Sequence, residues 1–344
     1  MPALAVADAL RAEGAQVSFV GTRERAEAQL VPEAGYEIDF LRLRGLDRRN
    51  PVRAAGALWL AARAVPAARA ILRRRRADAV LGGGGYVAAP VGLAAVRLGL
   101  PLVLTEADRH LGLANRLLSR WARRVCLAFE IPELRGGRFL VTGRPVRDDV
   151  LRADRAAARE RFGIAAEDRC VLVFGGSQGA RTLNAAALEG LLDPAGRDFH
   201  VLHISGARDY ELARGAYEDA GRPPRYTLLE YERGLGDALA ACDLVLSRAG
   251  ASVFELAAAG RPAILVPYPY ATGRHQHANA EWMRAAGAAL VVEDSELDGA
   301  LARRLVSELL SDPQRLEGMA RASRSLARPD AAQRVAREVL EAIG

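Results

Sequence analysis

Short apolar runs and helical patterns alternate along this chain almost from end to end, and several of the joints between them are rich in glycine. The spacing predicts strands at Gln16 to Val20, Glu37 to Leu43, Ala79 to Leu81, Pro101 to Leu104 and Phe139 to Val141. A second series is predicted at Cys170 to Phe174, His200 to Ile204, Tyr226 to Leu229, Asp243 to Ser247 and Ala263 to Val266. Helical patterns fill the intervals, and the chain opens on one, Met1 to Arg11, with Leu4, Ala7 and Leu10 on one face. Such alternation predicts α/β architecture: parallel sheet with helices on both faces and ligands at the carboxyl ends of the strands.

At 344 residues, half of them apolar, the chain exceeds one ordinary core, so two domains of about 150 residues each are expected. No segment is long, apolar and free of Gly, Pro and charge, and Asp8 interrupts the one apolar stretch near the N-terminus, so a cytoplasmic protein is expected. Cys126, Cys170 and Cys242 lie far apart beside predicted strands, which suits reduced core thiols rather than a disulfide set or a metal site. All 48 basic residues are arginine, and the net charge of +6 favours an acidic partner or an anionic surface. That charge is too diffuse, and the chain too poor in aromatic residues, to argue for nucleic acid.

The stretch from Cys242 to Asn279 carries most of the chemistry. Its strand meets Arg248-Ala249-Gly250 and then a helical pattern, Ala251 to Ala259, closed by Gly260. Gly250 is expected to permit a sharp turn, leaving the N–H groups of Ala251, Ser252 and Val253 at a helix start where a diphosphate belongs. Glu255, one turn further in, is placed to accept both hydroxyls of a ribose attached to that phosphate, or merely to favour the helix dipole. Beyond the next strand and Pro267, the pair His275 and His277 invites a metal, but residues two apart on a helix do not share a face. Gln276 and Asn279 do share one, and their amides suit the hydroxyls of a sugar.

Two further Gly-rich turns precede helices, Gly82 to Gly85 and Gly175 to Gly179, and Ser177 in the second can offer its hydroxyl to a phosphate oxygen. A dinucleotide-binding reading of the second turn fails, because the strand that follows ends in Ser205-Gly206 without the acidic residue that holds an adenine ribose.

Taken together, Ser247-Arg248-Ala249-Gly250-Ala251-Ser252 with Glu255, then Pro267, His275-Gln276 and Asn279, resemble the nucleotide-sugar signature of the MurG family of bacterial N-acetylglucosaminyltransferases. The resemblance extends to Gly82 through Val87, Gly112 with Asn115, Gly143 with Pro145-Val146-Arg147, and Gly175 through Ala180. It implies a GT-B fold, two Rossmann-like doubly wound domains facing across a cleft, with an N-terminal acceptor domain over 1–146 and a UDP-sugar domain over 147–326. The last segment, 327–344, would be a helix packing back on the first domain. It further implies an inverting transfer of N-acetylglucosamine from UDP-N-acetylglucosamine to the muramyl sugar of a polyprenyl-pyrophosphoryl muramyl-peptide, without cofactor or metal, at the cytoplasmic side of the cell membrane. By resemblance Arg147 lies near the uracil, Glu255 on the ribose, Ser177 with Gly250, Ala251 and Ser252 on the diphosphate, and Gln276 with Asn279 toward the sugar.

The family's pattern is not kept everywhere. Its His-Glu-Gln-Asn run reads Thr105-Glu106-Ala107-Asp108 here, which leaves open a related UDP-sugar transferase acting on another glycolipid. No catalytic base is evident, which leaves open a catalytically silent nucleotide-sugar-binding subunit. The base suspected in the family belongs to a Gly-rich turn after a first strand, and this chain begins with the helix that follows such a turn, so that strand and turn are expected upstream of Met1. The helical stretch Pro51 to Arg75, ending in Arg73 to Arg76, reads either as a helix for an anionic membrane or as a core-facing helix with cations at its C-terminus.

Overall fold

Alternation along single strands sets the layers of the protein. In the computed structural model, which describes residues 2–43, 51–176, 179–271 and 274–344, the chain forms two units. Unit 1 comprises Met1–Pro145 and Arg328–Gly344; unit 2 comprises Val146–Ala327.

Unit 1 runs α1 (Pro2–Ala12), β1 (Ser18–Gly21), α2 (Glu27–Glu33), β2 (Glu37–Phe40), α3 (Pro51–Arg74), β3 (Val80–Gly82) and α4 (Gly85–Leu98). It continues through β4 (Leu102–Glu106), α5 (Leu113–Leu118), β5 (Arg124–Leu127) and β6 (Phe139–Val141). Leu102 and Leu104 of β4, with Val125 and Leu127 of β5, face a core shared with α3, α4 and α5. The alternate residues Val103 and Cys126 face the other side, as the two-residue period of a strand requires. The strands of this half form two pieces, a parallel β1-β2 pair and a parallel β3-β4-β5-β6 sheet. Among the described residues no strand lies between the two pieces to carry a hydrogen-bond ladder from one to the other.

Unit 2 contains α6 (Asp148–Arg152), α7 (Arg155–Phe162), β7 (Arg169–Phe174), α8 (Arg181–Leu191), β8 (Phe199–Ile204), α9 (Tyr210–Asp219) and β9 (Tyr226–Leu229). There follow α10 (Leu235–Ala241), β10 (Leu244–Ser247), α11 (Val253–Ala258), β11 (Ala263–Leu265), α12 (His275–Ala285), β12 (Ala289–Val291), α13 (Gly299–Leu310) and α14 (Pro313–Ser325). Its six strands form one parallel sheet in the order β12-β11-β10-β7-β8-β9, so the strand order reverses between β7 and β10. Their register pairs Ser247 with Phe174, which brings the turns after both strands side by side at the place where open α/β sheets bind ligands. The C-terminal helix α15 (Ala331–Ile343) belongs to unit 1, where Val335 and Val339 meet Val6 and Leu10 of α1. Arg124 and Glu338 add an ion pair at 2.8 Å.

The helix α3 turns Val65, Ala68, Ile71 and Leu72 into the core, while Arg74 and Arg75 form ion pairs with Asp39, and Arg75 also with Glu37. The hydrogen bond from Arg75 holds the Asp39 carboxyl below its usual range. Two of the four arginines suited to a membrane therefore anchor β2 instead. Trp59 of the same helix is 57% exposed under the guanidinium of Arg63. All three cysteines are free and buried.

Candidate functional site

The turn between β10 and α11 is held from beneath by amides. Asn279 Nδ2 donates to the carbonyl oxygens of Ala249 at 3.1 Å and Gly250 at 3.3 Å, and Asn279 is 6% exposed. Its amide N–H groups therefore shape the turn, a role that the expected sugar contact did not include. Gln276 Oε1 accepts from the backbone N–H of Tyr268 at 2.9 Å, while its Nε2 lies 4.0 Å from the position a Cβ at residue 250 would take. Half of the Gln276 amide thus fixes the loop after β11, and the other half reaches the turn.

Gly250 is not in the left-handed region and a Cβ there meets only ordinary contact, so the sharp-turn argument for it fails. What the glycine leaves is an uncovered backbone. The helix also starts later than expected, at Val253, because Val253 N donates to Gly250 O and Phe254 N to Ala251 O, each at 3.3 Å. Val253 is thereby removed from the expected set of donors. The N–H groups of Ala251 and Ser252 have no protein partner among the described residues, and Ala251 is exposed. Glu255 sits half-buried in the first turn of α11.

Beside this turn lies the one after β7. Gly179 has φ +73°, and a Cβ there would fall 2.2 Å from Ser205 O, so only glycine permits both the backbone angle and the approach. Ser177 lies outside the described residues. The turn is backed by a buried polar chain: Asn184 Nδ2 donates to Ser205 O at 2.9 Å and to Asp209 Oδ2 at 3.0 Å. Asn184 Oδ1 then accepts from His203 Nε2 at 3.0 Å, and His203 Nδ1 accepts from Tyr226 Oη at 2.8 Å. Every ring atom is satisfied with the imidazole neutral, and burial pulls its pKa down to about 4.

Arg147 precedes α6, where it pairs with Asp149 at 2.7 Å and keeps 47% of its side chain exposed. Sequence reasoning did not single out Arg248, Asp294 or Thr182. Arg248 is 9% exposed, with its Nη1 2.5 Å from Asp294 Oδ1, and Thr182 Oγ1 donates to Asp294 Oδ2 at 3.2 Å. Arg248 stood in the motif itself, but nothing local in the sequence points to Asp294. In unit 1, Glu106 is buried and accepts from the N–H groups of Ala107, Asp108 and Gly112 and from Asn115 Nδ2. It organises the loop after β4, with Thr105 anchoring Asn115 through its carbonyl at 2.9 Å. His277 meets Glu293 at 3.3 Å, and among the described residues no group of three or more His, Cys, Asp or Glu is placed to hold a metal.

A glycine turn and an N–H-rich turn lie side by side at the switch point of unit 2, and the two α/β units are those of a GT-B glycosyltransferase. The fold likeness extends over the whole chain. The Acinetobacter baumannii MurG crystal structure matches with TM-score 0.77 and 32% identity, covering 99% of this chain and 95% of that one. CalG4, the calicheamicin glycosyltransferase, matches at TM-score 0.70 and 19% identity, covering 100% and 94%. Family models for the glycosyltransferase family 28 N-terminal and C-terminal domains match residues 1–127 and 170–335. A relative in Halorhodospira halophila is 43% identical over 97% of this chain and 92% of its own length, and one in Moorella thermoacetica is 40% identical over 99% and 95%. Both are named UDP-N-acetylglucosamine–N-acetylmuramyl-(pentapeptide) pyrophosphoryl-undecaprenol N-acetylglucosamine transferase. The chain belongs to the MurG family.

Proposed function

We propose that this protein transfers N-acetylglucosamine from UDP-N-acetylglucosamine to the muramyl sugar of polyprenyl-pyrophosphoryl muramyl-pentapeptide, the glycosylation that completes the disaccharide unit of peptidoglycan. The observation that carries the reading is the pair of N–H groups at Ala251 and Ser252, without a protein partner among the described residues, with Glu255 one turn beyond. The acceptor hydroxyl oxygen attacks the anomeric carbon as the carbon–oxygen bond to the diphosphate breaks, with inversion. UDP leaves with the bonding pair, and the hydroxyl proton passes to a base. Charge grows on the diphosphate in that step, and fixed N–H donors aimed at it lower the barrier because they need no reorganisation. Gly250 leaves the backbone open to the diphosphate and Ser177 adds a hydroxyl. Glu255 holds the ribose, Arg147 lies toward the uracil and Gln276 Nε2 toward the sugar. Asn279 supports the turn beneath them.

The acceptor's polyprenyl chain keeps it in a membrane, and among the described residues no helix is long and apolar enough to cross one. A peripheral position on the cytoplasmic face fits both. The exposed Trp59 and Trp121, each with a guanidinium over its ring, suit the headgroup level of a bilayer.

The deciding experiment incubates the protein with labelled UDP-N-acetylglucosamine and the muramyl lipid, and measures label in the lipid phase together with UDP release. Binding of UDP without transfer to this lipid would sink the proposed reaction. Transfer to a different glycolipid would instead favour the departure at Thr105, Ala107 and Asp108 as the deciding feature. Glu255→Ala should leave the fold intact and weaken donor binding by about 1.5 to 3 kcal/mol, the value of hydrogen bonds to a charged group. Unchanged donor affinity by calorimetry would remove Glu255 from the site.

A further inference from the structure

Arg248 stands at the first position of the turn after β10, where a guanidinium would ordinarily be taken for a phosphate ligand. Its surroundings assign it otherwise. The residue is 9% exposed, its Nη1 donates to Val266 O at 3.2 Å, and the same nitrogen lies 2.5 Å from Asp294 Oδ1. The guanidinium is stacked on Tyr268, 5.5 Å from the ring centroid. Its charge is thus matched by a carboxylate, and a matched pair adds little net attraction for an anion. The second carboxylate oxygen, Asp294 Oδ2, accepts from Thr182 Oγ1 at 3.2 Å. Thr182 lies in the first turn of α8, just past the Gly-rich turn that follows β7. One carboxylate, delivered by the loop after β12, therefore joins the two turns whose strands pair in register at Ser247 and Phe174.

We propose that Arg248, Asp294 and Thr182 are positioning residues: a brace that fixes the spacing between the two turns so that both phosphates of a nucleoside diphosphate are met at once. The inference rests on the nucleotide-sugar reading of this site. A brace of this kind has a distinctive signature, because a ligand spanning both turns feels their separation and a ligand lacking the phosphates does not.

The test uses the full chain and compares UDP with uridine by calorimetry, for Arg248→Met, Asp294→Asn, the double variant and Thr182→Val. Each of the two ion-pair variants should weaken UDP binding about tenfold while changing uridine binding less than about twofold. The double variant should bind UDP no worse than the weaker single one, since both substitutions remove the same link. Thr182→Val keeps the ion pair and the shape of the side chain, so it folds even where Arg248→Met does not, and should weaken UDP binding about threefold. In turnover the loss should appear mainly in the donor KM. Equal losses for UDP and uridine would show general loosening and overturn the brace. Tighter UDP binding in Asp294→Asn would also overturn it, because unmasking Arg248 would then have created a direct phosphate ligand. Glu255→Ala is the control for the underlying reading: if it leaves UDP and uridine binding intact while the brace variants lose UDP alone, the ribose assignment fails and the brace stands.

Discussion

Protonating His203 would put a charge where nothing is placed to balance it. The ring is fully buried between Tyr226 and Asn184, and its pKa is pulled from 6.5 to about 4 by burial. The folded protein therefore holds fewer protons than the unfolded chain between those two values. Stability at this residue is complete above about pH 6.5, is lost as the pH falls toward 4, and changes no further below that. The loss is about 3 kcal/mol on the usual conversion of a pKa shift. His200, bonded to Thr227 at 2.9 Å and also shifted to about 4 by burial, acts in the same direction. Denaturant titrations between pH 7 and 4 should show a steep fall in stability for the parent and a visibly shallower one for His203→Asn. An equal slope in both would mean that the acid sensitivity comes from elsewhere.

Among the elements, α8 and α13 meet closely, with glycines in place of side chains on both helices. A Cβ at Gly190 would stand 2.0 Å from Gly299 O, and one at Gly299 would meet Gly190 N at 2.8 Å. Backbone meets backbone there, so no side chain can move aside. Gly190→Ala should cost about 1 to 3 kcal/mol, the range for overpacking a well-filled core, and should show as a lower midpoint in thermal or urea unfolding. It has a second consequence, since α8 also carries Thr182 and Asn184 against the Gly-rich turn. A shift of this helix should weaken UDP binding along with stability. An Ala variant as stable as the parent would mean that the helices are free to separate.

For the whole molecule, the net charge of +6 without a single lysine favours anionic surfaces. Binding to anionic vesicles should be strong at low salt and fall as ionic strength rises and screening shortens to about 10 Å near 0.1 M. Because Arg74 and Arg75 anchor β2, the clean variant is Arg73→Ser with Arg76→Ser, which should reduce vesicle sedimentation without loss of fold. Equal sedimentation of parent and variant would assign these arginines to the helix C-terminus alone, leaving Trp59 and Trp121 as the residues to test.

Local chemistry made much of this protein legible before its structure. Strand–helix alternation gave the α/β class, and the final helix at Ala331–Ile343 follows from its apolar period, with Ala331, Val335, Val339 and Ala342 all buried. The turn residues from Ser247 to Glu255 could be read as a candidate phosphate-and-ribose pattern because donors, glycine and acid there are neighbours in sequence. The short strand β5 escaped notice, since Arg123 and Arg124 lead into it and its apolar run continues unbroken into Ala128 and Phe129 with no turn residue to mark its end. Tertiary structure alone decided which polar groups remain available. Asn279 turned out to bind the backbone of the turn and Val253 to close it, while Arg248 found Asp294 across the sheet. These outcomes depend on strand order: β10, β11 and β12 lie side by side, so residues distant in sequence reach the same edge. Periodicity and turn chemistry are properties of a few consecutive residues. The partner of a buried charge depends instead on the whole order of the strands.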